Sequence, residues 1–220
     1  MDRNELLAHV RAHVNGEWAD VSAEKPVAVE RQAPSSEKAA RLNDLAEECK
    51  SCRNCELYKT ATNLVFFDGS PDAGIVFIGE APGADEDAQG KPFVGRAGKL
   101  LTATIEEMGL PRRNVYICNI LKHRPPDNRN PLPHEIEACT PFLVRQLEIL
   151  QPRLIITLGN FSTRFMLKTE EGITKLRGRI MASPMGYQIM PTYHPAAVLR
   201  NMGLIGEFKN DIRNALDFVK

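Results

Sequence analysis

The sequence predicts an α/β fold: a three-layer α/β/α sandwich around a central, mostly parallel four-stranded sheet. Three observations carry that prediction. Four apolar runs end in small or turn-forming residues: GIVFIGEAPG (74–83), VYICNIL (115–121), LIITLG (154–159) and YQIMPTYHP (187–195). Segments with helical patterning separate them. The runs are apolar almost throughout rather than alternating, as expected of parallel strands covered on both faces.

In chain order, residues 1 to about 15 read as a short amphipathic helix, with Leu6, Leu7, Val10 and Val14 at helical spacing. Residues 19–38 are polar and carry Pro26 and Pro34, a linker composition. Residues 1–40 are therefore expected to be a helix and flexible linker, and 41–220 the folded domain. Helices are expected over 95–110, 133–150, 160–168 and 207–220. In such sheets ligands bind past the carboxyl ends of the strands. The unusual residues cluster there: Glu80 to Gly83, Asn119 to Pro126 and His194 to Arg200.

Composition narrows the function. Lys plus Arg is 28 and Asp plus Glu is 28, so the net charge is zero, which excludes a histone-like polycation and an acidic tail protein. It does not exclude nucleic acid, because a local basic strip can hold phosphates. A hydrophobic content of 43% supports a packed core. No apolar run reaches the roughly 18 residues of a membrane span. The N-terminus is charged, unlike a secretion signal, so a cytoplasmic location without membrane contact is expected.

The five cysteines are odd in number, which argues against a disulfide framework. Cys49, Cys52 and Cys55 form C-x2-C-x2-C, with Cys118 and Cys139 far downstream. That spacing suits an iron–sulfur site, and a zinc site competes. Cys118, within a strand, reads as a core thiol.

Three loops carry the chemistry. In GEAPGADEDAQGKPFVGRAGKLL (79–101), glycines permit close backbone approach, while Glu80, Asp85, Glu86 and Asp87 crowd carboxylates together. Phosphate would not favour that charge, and no phosphate-loop fingerprint is present. A pocket for a neutral ring, or a solvated acidic loop, fits better. In CNILKHRPPDNRNPLP (118–133), Lys122, Arg124 and Arg129 sit among prolines and amides suited to phosphates or bases. In TYHPAAVLRN (192–201), His194 ends a strand, and Leu199 beside Arg200 pairs an apolar wedge with a cation.

Together these segments resemble the family 4 uracil-DNA glycosylases, the iron–sulfur type of bacteria and archaea. The resemblance covers about residues 50–220 and rests on GEAPGADED…GKPFVG, YICNILKHRPPDNRNP, the LG of TLGNFS, and TYHPAAVLR, in that order. It implies a monomeric hydrolase with a 4Fe–4S cluster that removes uracil from DNA, leaving an abasic site for base excision repair. It also implies residue roles. Phe93 would stack on the uracil, Asn119 would read its polar edge, and Gly79 and Ala81 would line its pocket. His194 would donate to the developing anion. Glu80 would position water, with Glu86 and Asp87 nearby. Lys122, Arg124, Arg129, Leu199 and Arg200 would meet DNA, with Arg177 and Arg179 as further candidates. An enzyme acting on a base must take it out of the stack, so a stacking face, an edge reader and an oxyanion donor form a coherent set.

The sequence departs from the family at one cluster position. The KCRPP-type cysteine is replaced by His123, leaving Cys52, Cys55 and Cys139. His123 or Cys49 would supply the fourth ligand, and His123 is preferred because it occupies the family position. Before the apolar VFF run, Ala61 and Thr62 stand where the family often has Arg-Thr. A related branch captures the abasic sugar through a histidine on a KRRIH-like insert. That insert is missing here, so turnover is expected. A non-catalytic uracil- or DNA-binding iron–sulfur module and a redox protein are the remaining alternatives.

Overall fold

The structure, a computed structural model, describes residues 35–220, with side chains from Glu37 onward. The expected helix at 1–15 and the linker up to residue 34 lie outside the described residues. From Ser35 the chain is already helical, so the last part of the expected linker belongs to the fold. This helix, α1 (Ser35–Lys50), buries Leu42, Leu45 and Cys49 at helical spacing.

The sheet has six strands: β1 (Asp68–Gly69), β2 (Ile75–Gly79), β3 (Tyr116–Asn119), β4 (Leu154–Leu158), β5 (Met181–Ala182) and β6 (Gln188–Thr192). Their spatial order is β1-β3-β2-β4-β6-β5. The central four are the four expected strands, and all three of their pairings are parallel. The four-strand expectation is corrected at the edges. There β1 and β5 add two residues each, antiparallel to their neighbours. Two residues are too few to show a periodicity in sequence.

The helices that follow are α2 (Ala84–Gln89), α3 (Arg96–Glu107), α4 (Pro133–Leu150), α5 (Asn160–Leu167), α6 (Ile173–Leu176), α7 (Pro195–Arg200) and α8 (Ile205–Val219). They divide between the two faces because strand side chains alternate. Val76, Ile78, Tyr116, Cys118, Ile155 and Ile189 pack with α1, α4 and α5. Ile75, Phe77, Ile117, Ile156 and Met190 pack with α3, α7 and α8. Two cores on one sheet make the three-layer sandwich. Among the described residues no helix is long and apolar enough to cross a membrane.

Register positions the site. Gly79 pairs with Asn119 across β2 and β3, and Leu158 pairs with Thr192 across β4 and β6. The four parallel strands therefore end together, and the loops after them open onto one edge.

Candidate active site

At that edge lies a cleft of about 590 Å³, bordered by Glu80, Ala81, Phe93, Asn119, Tyr193 and His194 among others. Gly79 does not line the cleft itself but lies beneath two residues that do. A Cβ there would collide with both the Asn119 amide oxygen and the Phe93 ring, so those two groups lie directly over the glycine. Asn119 is buried, and its Oδ1 has no hydrogen-bond partner. A buried, unsatisfied amide oxygen costs about 1–3 kcal/mol, a cost that a ligand N–H would relieve.

Phe93 is also buried, and its ring centroid lies 5.7 Å from that of His194 at a 36° tilt. Its φ is +52°. For a bulky residue that left-handed backbone costs about 1–3 kcal/mol, and the surrounding structure must impose it.

His194 caps α7. Its Nδ1 accepts the Ala196 N–H at 3.1 Å. With Nδ1 accepting, the proton of a neutral ring sits on Nε2. Burial, helped by the positive charge of Arg200, pulls its pKa down to about 4, so the ring is neutral at pH 7. Glu80 follows β2, and burial raises its carboxyl to about 7. The cleft thus holds a neutral imidazole donor and a carboxyl poised between its two forms.

The other two carboxylates named from sequence work differently. Glu86 reaches the cleft wall but accepts the backbone N–H groups of Gly83 (3.2 Å), Val94 (2.9 Å) and Gly95 (2.8 Å). It ties the loop that carries Phe93. Asp87 is buried and accepts from Thr62 N (2.9 Å) and Asn63 N (3.1 Å). This corrects the expectation that Asp87 accompanies Glu80: its carboxylate anchors residues 62–63 and does not border the cleft. Ala81 borders the cleft and packs with Leu57, Leu121 and Cys139.

Of the cations, Arg129 and Arg200 border the cleft. Arg129 forks onto Glu135 at 2.9 and 2.6 Å. Arg124, half-buried, donates to Asn128 Oδ1 at 2.7 Å. Leu199 is half-buried beside exposed Arg200 at the end of α7. Lys122 is a correction: it is fully buried, donating to Asn119 O and Gln146 Oε1, each at 2.6 Å, so it cannot face DNA. Its neighbours Leu121 and His123 are buried and half-buried, but a lysine beside a histidine and an arginine reads as a basic surface run, so nothing in the sequence reveals that this side chain turns inward. Arg177 pairs with Asp211 and Glu207 and lies over the Tyr193 ring. Arg179 is exposed and bonds the Lys175 carbonyl.

The cysteines split between two apolar clusters, Cys49, Cys52 and Cys118 in one and Cys55 and Cys139 in the other. Cys55 and Cys139 share a hydrogen bond, which draws the Cys55 thiol down to about 6 and pushes the Cys139 thiol up. The Cys139 sulfur also accepts the Lys122 N–H. Cys52 packs at the margin of the core that contains Cys49, whose thiol is pushed up to about 12 by burial. Cys118 is fully buried in β3. His123 is half-buried in a second cleft with Arg53, Tyr58 and Asn63, and burial lowers its pKa, leaving the neutral form that can bind metal. Among the described residues no three His, Cys, Asp or Glu side chains stand ready to hold a metal ion. In chemistry, three thiols and a neutral imidazole are a donor set suited to iron–sulfur ligation.

Sequence reasoning missed Tyr193, which flanks His194 and could have been noted as an aromatic at a strand end. Gly159, the glycine of the TLGNFS motif, borders the cleft beside His194, where a Cβ would come within 2.9 Å of the His194 Cβ.

The profile described as "Uracil DNA glycosylase superfamily" matches residues 66–219. The chain is 45% identical to the type-4 uracil-DNA glycosylase of Archaeoglobus fulgidus over 179 residues, covering 78% of this chain and 90% of the relative. It is 47% identical to the Saccharolobus solfataricus enzyme of the same name, covering 78% of this chain and 83% of the relative. For the Thermotoga maritima counterpart the identity is 44%, with 80% of this chain and 93% of the relative covered.

Proposed function

The chain belongs to the uracil-DNA glycosylase superfamily, on its type-4 branch, and we propose how its cleft does the work of that family. It is a uracil-DNA glycosylase, a hydrolase that opens DNA repair by cutting uracil from its sugar. The observation that carries the residue-level reading is the unsatisfied Asn119 Oδ1, held over Gly79 beside the Phe93 ring.

A flipped uracil stacks on Phe93. Asn119 Oδ1 accepts the uracil N3–H, and its amide nitrogen donates to O4. Cytosine presents an acceptor and a donor at those positions in reverse, so it leaves both amide atoms mismatched. The neutral His194 donates from Nε2 to uracil O2. As the bond from C1′ to N1 breaks, its electron pair moves onto the base, and that hydrogen bond strengthens where charge develops. Glu80, as carboxylate, orients the water whose oxygen bonds to C1′, and takes up the proton released. Ala81 closes the pocket wall, and Glu86 holds the 83–95 loop in place. Arg124, Arg129 and Arg200 meet phosphates around the mouth, with Leu199 as the wedge beside the vacated position.

Cys52, Cys55, Cys139 and His123 would hold a 4Fe–4S cluster, with Cys49 as the competing fourth ligand. When bound it ties the 49–57 segment to the 121–139 segment as a structural staple. His123 is preferred because Cys49 sits in the apolar core as a protonated thiol. Iron and sulfide content measured for Cys49→Ala and His123→Ala separates the two: a full cluster in Cys49→Ala and a depleted one in His123→Ala is expected. The protein acts as a monomer.

Incubation with uracil-containing DNA, run on a denaturing gel before and after alkali, tests the activity. Cleavage only after alkali is expected. A band shifted before alkali would indicate covalent capture of the abasic sugar, and neither signal would leave only a binding module. Capture is disfavoured here because no KRRIH-like insert is present, and His134, the one histidine between Pro126 and Cys139, does not border the cleft.

A further inference from the structure

We propose that Arg112, which touches neither the cleft nor the base, is the positioning residue that sets the Phe93 ring for stacking. The proposal rests on the glycosylase reading above and adds a residue to it. Arg112 begins the short turn ahead of β3, and its side chain is 17% exposed. Its guanidinium donates to four acceptors: Nη2 to Pro92 O at 2.7 Å, Nη1 to Phe93 O at 3.0 Å and to Thr102 Oγ1 at 2.8 Å, and Nε to Asp68 Oδ2 at 2.8 Å.

The two carbonyls are the telling pair. Pro92 C=O belongs to the peptide plane before the Phe93 Cα, and Phe93 C=O to the plane after it. The angle between those planes is what φ and ψ of Phe93 describe. One rigid, planar cation bonded to both carbonyls therefore fixes that angle, and the angle is the unfavourable one at φ +52°. Helix α3 presses from the other side: a Cβ on Gly98 would overlap the Phe93 carbonyl, and Thr102 lies one turn further along the same face. Asp68 anchors the guanidinium to the edge strand β1.

Each constraint bears on where the ring points. Released from the left-handed region, Phe93 would swing its ring away from its seat between Gly79 and His194. The base would lose its stacking platform and its alignment with Asn119 and His194. Lysine at this position could pair with Asp68, but a single ammonium cannot span both carbonyls and Thr102 as the planar fork does.

The test is single-turnover uracil release by the wild type, Arg112→Lys, Phe93→Ala and the double variant, with melting temperatures taken alongside. Arg112→Lys is expected to slow release by about ten- to a hundredfold, the scale of a misplacement near 1 Å. Its affinity for undamaged duplex is expected to stay within about twofold, the scatter of independent sites. In the Phe93→Ala background the same change is expected to add less than about twofold, because the residue it acts through is gone. An unchanged Arg112→Lys rate, or an equal loss in both backgrounds, overturns the proposal. If Arg112→Lys does not fold, Thr102→Val, which removes one acceptor, takes its place in the cycle with the same criteria and a smaller expected loss. No release by the wild type would bring down the glycosylase reading itself, whereas release with an additive cycle brings down only the role of Arg112.

Discussion

Asn119 ends β3 with an amide oxygen that the protein leaves unbonded, while its main-chain carbonyl is held by Lys122. The residue's main chain is thus held while its amide oxygen stays open, an arrangement that a ligand N–H would complete. Asn119→Ala is expected to cut uracil excision by about 1–3 kcal/mol of transition-state binding, roughly ten- to a hundredfold, with little loss of stability. Excision kinetics beside thermal melts would check it; a rate unchanged from wild type would remove Asn119 as the reader. Glu80 gives a pH signature. Its carboxyl is raised from 4.5 to about 7 by burial, so the folded state holds a proton that the unfolded state has lost between those values. Its contribution to stability is present below about 4.5 and falls as pH rises through about 7. Glu80→Gln is therefore expected to melt higher than wild type above pH 7 and equally at pH 4, while losing the rise in rate through pH 7. A wild-type rate that is flat from pH 5.5 to 8.5 would contradict ionised Glu80 as the water-orienting group. His194 stays neutral across that range because its pKa lies near 4. These candidate groups were legible because each follows an apolar strand. Lys122 was not, because burial of a single long side chain leaves no periodic trace.

At the scale of elements, the four long strands and helices α3, α4, α5 and α8 were readable because burial on one or both faces writes itself into many residues at once, whereas the 16-residue α1 was not, because its first residues continue the polar composition that precedes it. The two-residue edge strands, and α2, α6 and α7 at four to six residues, were not readable: they span too few positions for a repeat. Their ends are fixed by contacts distant in sequence. Helix α2 shows the consequence. The acidic run that looked like a pocket lining is partly a backbone clamp, in which Glu86 accepts three N–H groups from two turns of one loop. Charge-assisted bonds of this kind are strong, and their loss strands the donors. Glu86→Ala is expected to destabilise the domain by about 2–4 kcal/mol and to slow excision by loosening the Phe93 loop. Chemical denaturation checks the first effect. A Glu86→Ala protein with wild-type stability would show that the clamp is dispensable and would return Glu86 to the list of chemical groups.

Over the whole molecule, the zero net charge conceals a division of labour: the described acidic groups near the cleft are mostly bonded to backbone or to arginines, leaving Arg200 exposed at its mouth. The same scale decides where the working domain starts. The family match begins at residue 66, yet α1 at 35–50 is built into the core. Leu42, Leu45 and Cys49 are almost wholly buried against one face of the sheet, and Lys38 reaches across to donate to the Leu150 carbonyl at 3.0 Å. The sequence reading of residues 1–34 as a helix and linker outside the folded domain predicts that removing them changes the melting temperature by less than about 2 °C, below the shift of 1 kcal/mol in a domain of this size. Uracil release should be unaffected. Removing residues 1–50 takes away two leucines whose truncation alone costs about 2–5 kcal/mol each, and it leaves the Leu150 carbonyl without its donor. A fall of roughly 10 °C or failure to fold is expected from that cut. Thermal melts of the two truncations decide the matter. Equal stability of both would place α1 outside the core, and a large loss on removing 1–34 would extend the domain toward the N-terminus. The contrast turns on apolar burial, which α1 shares with the sheet and which sequence similarity to relatives does not measure.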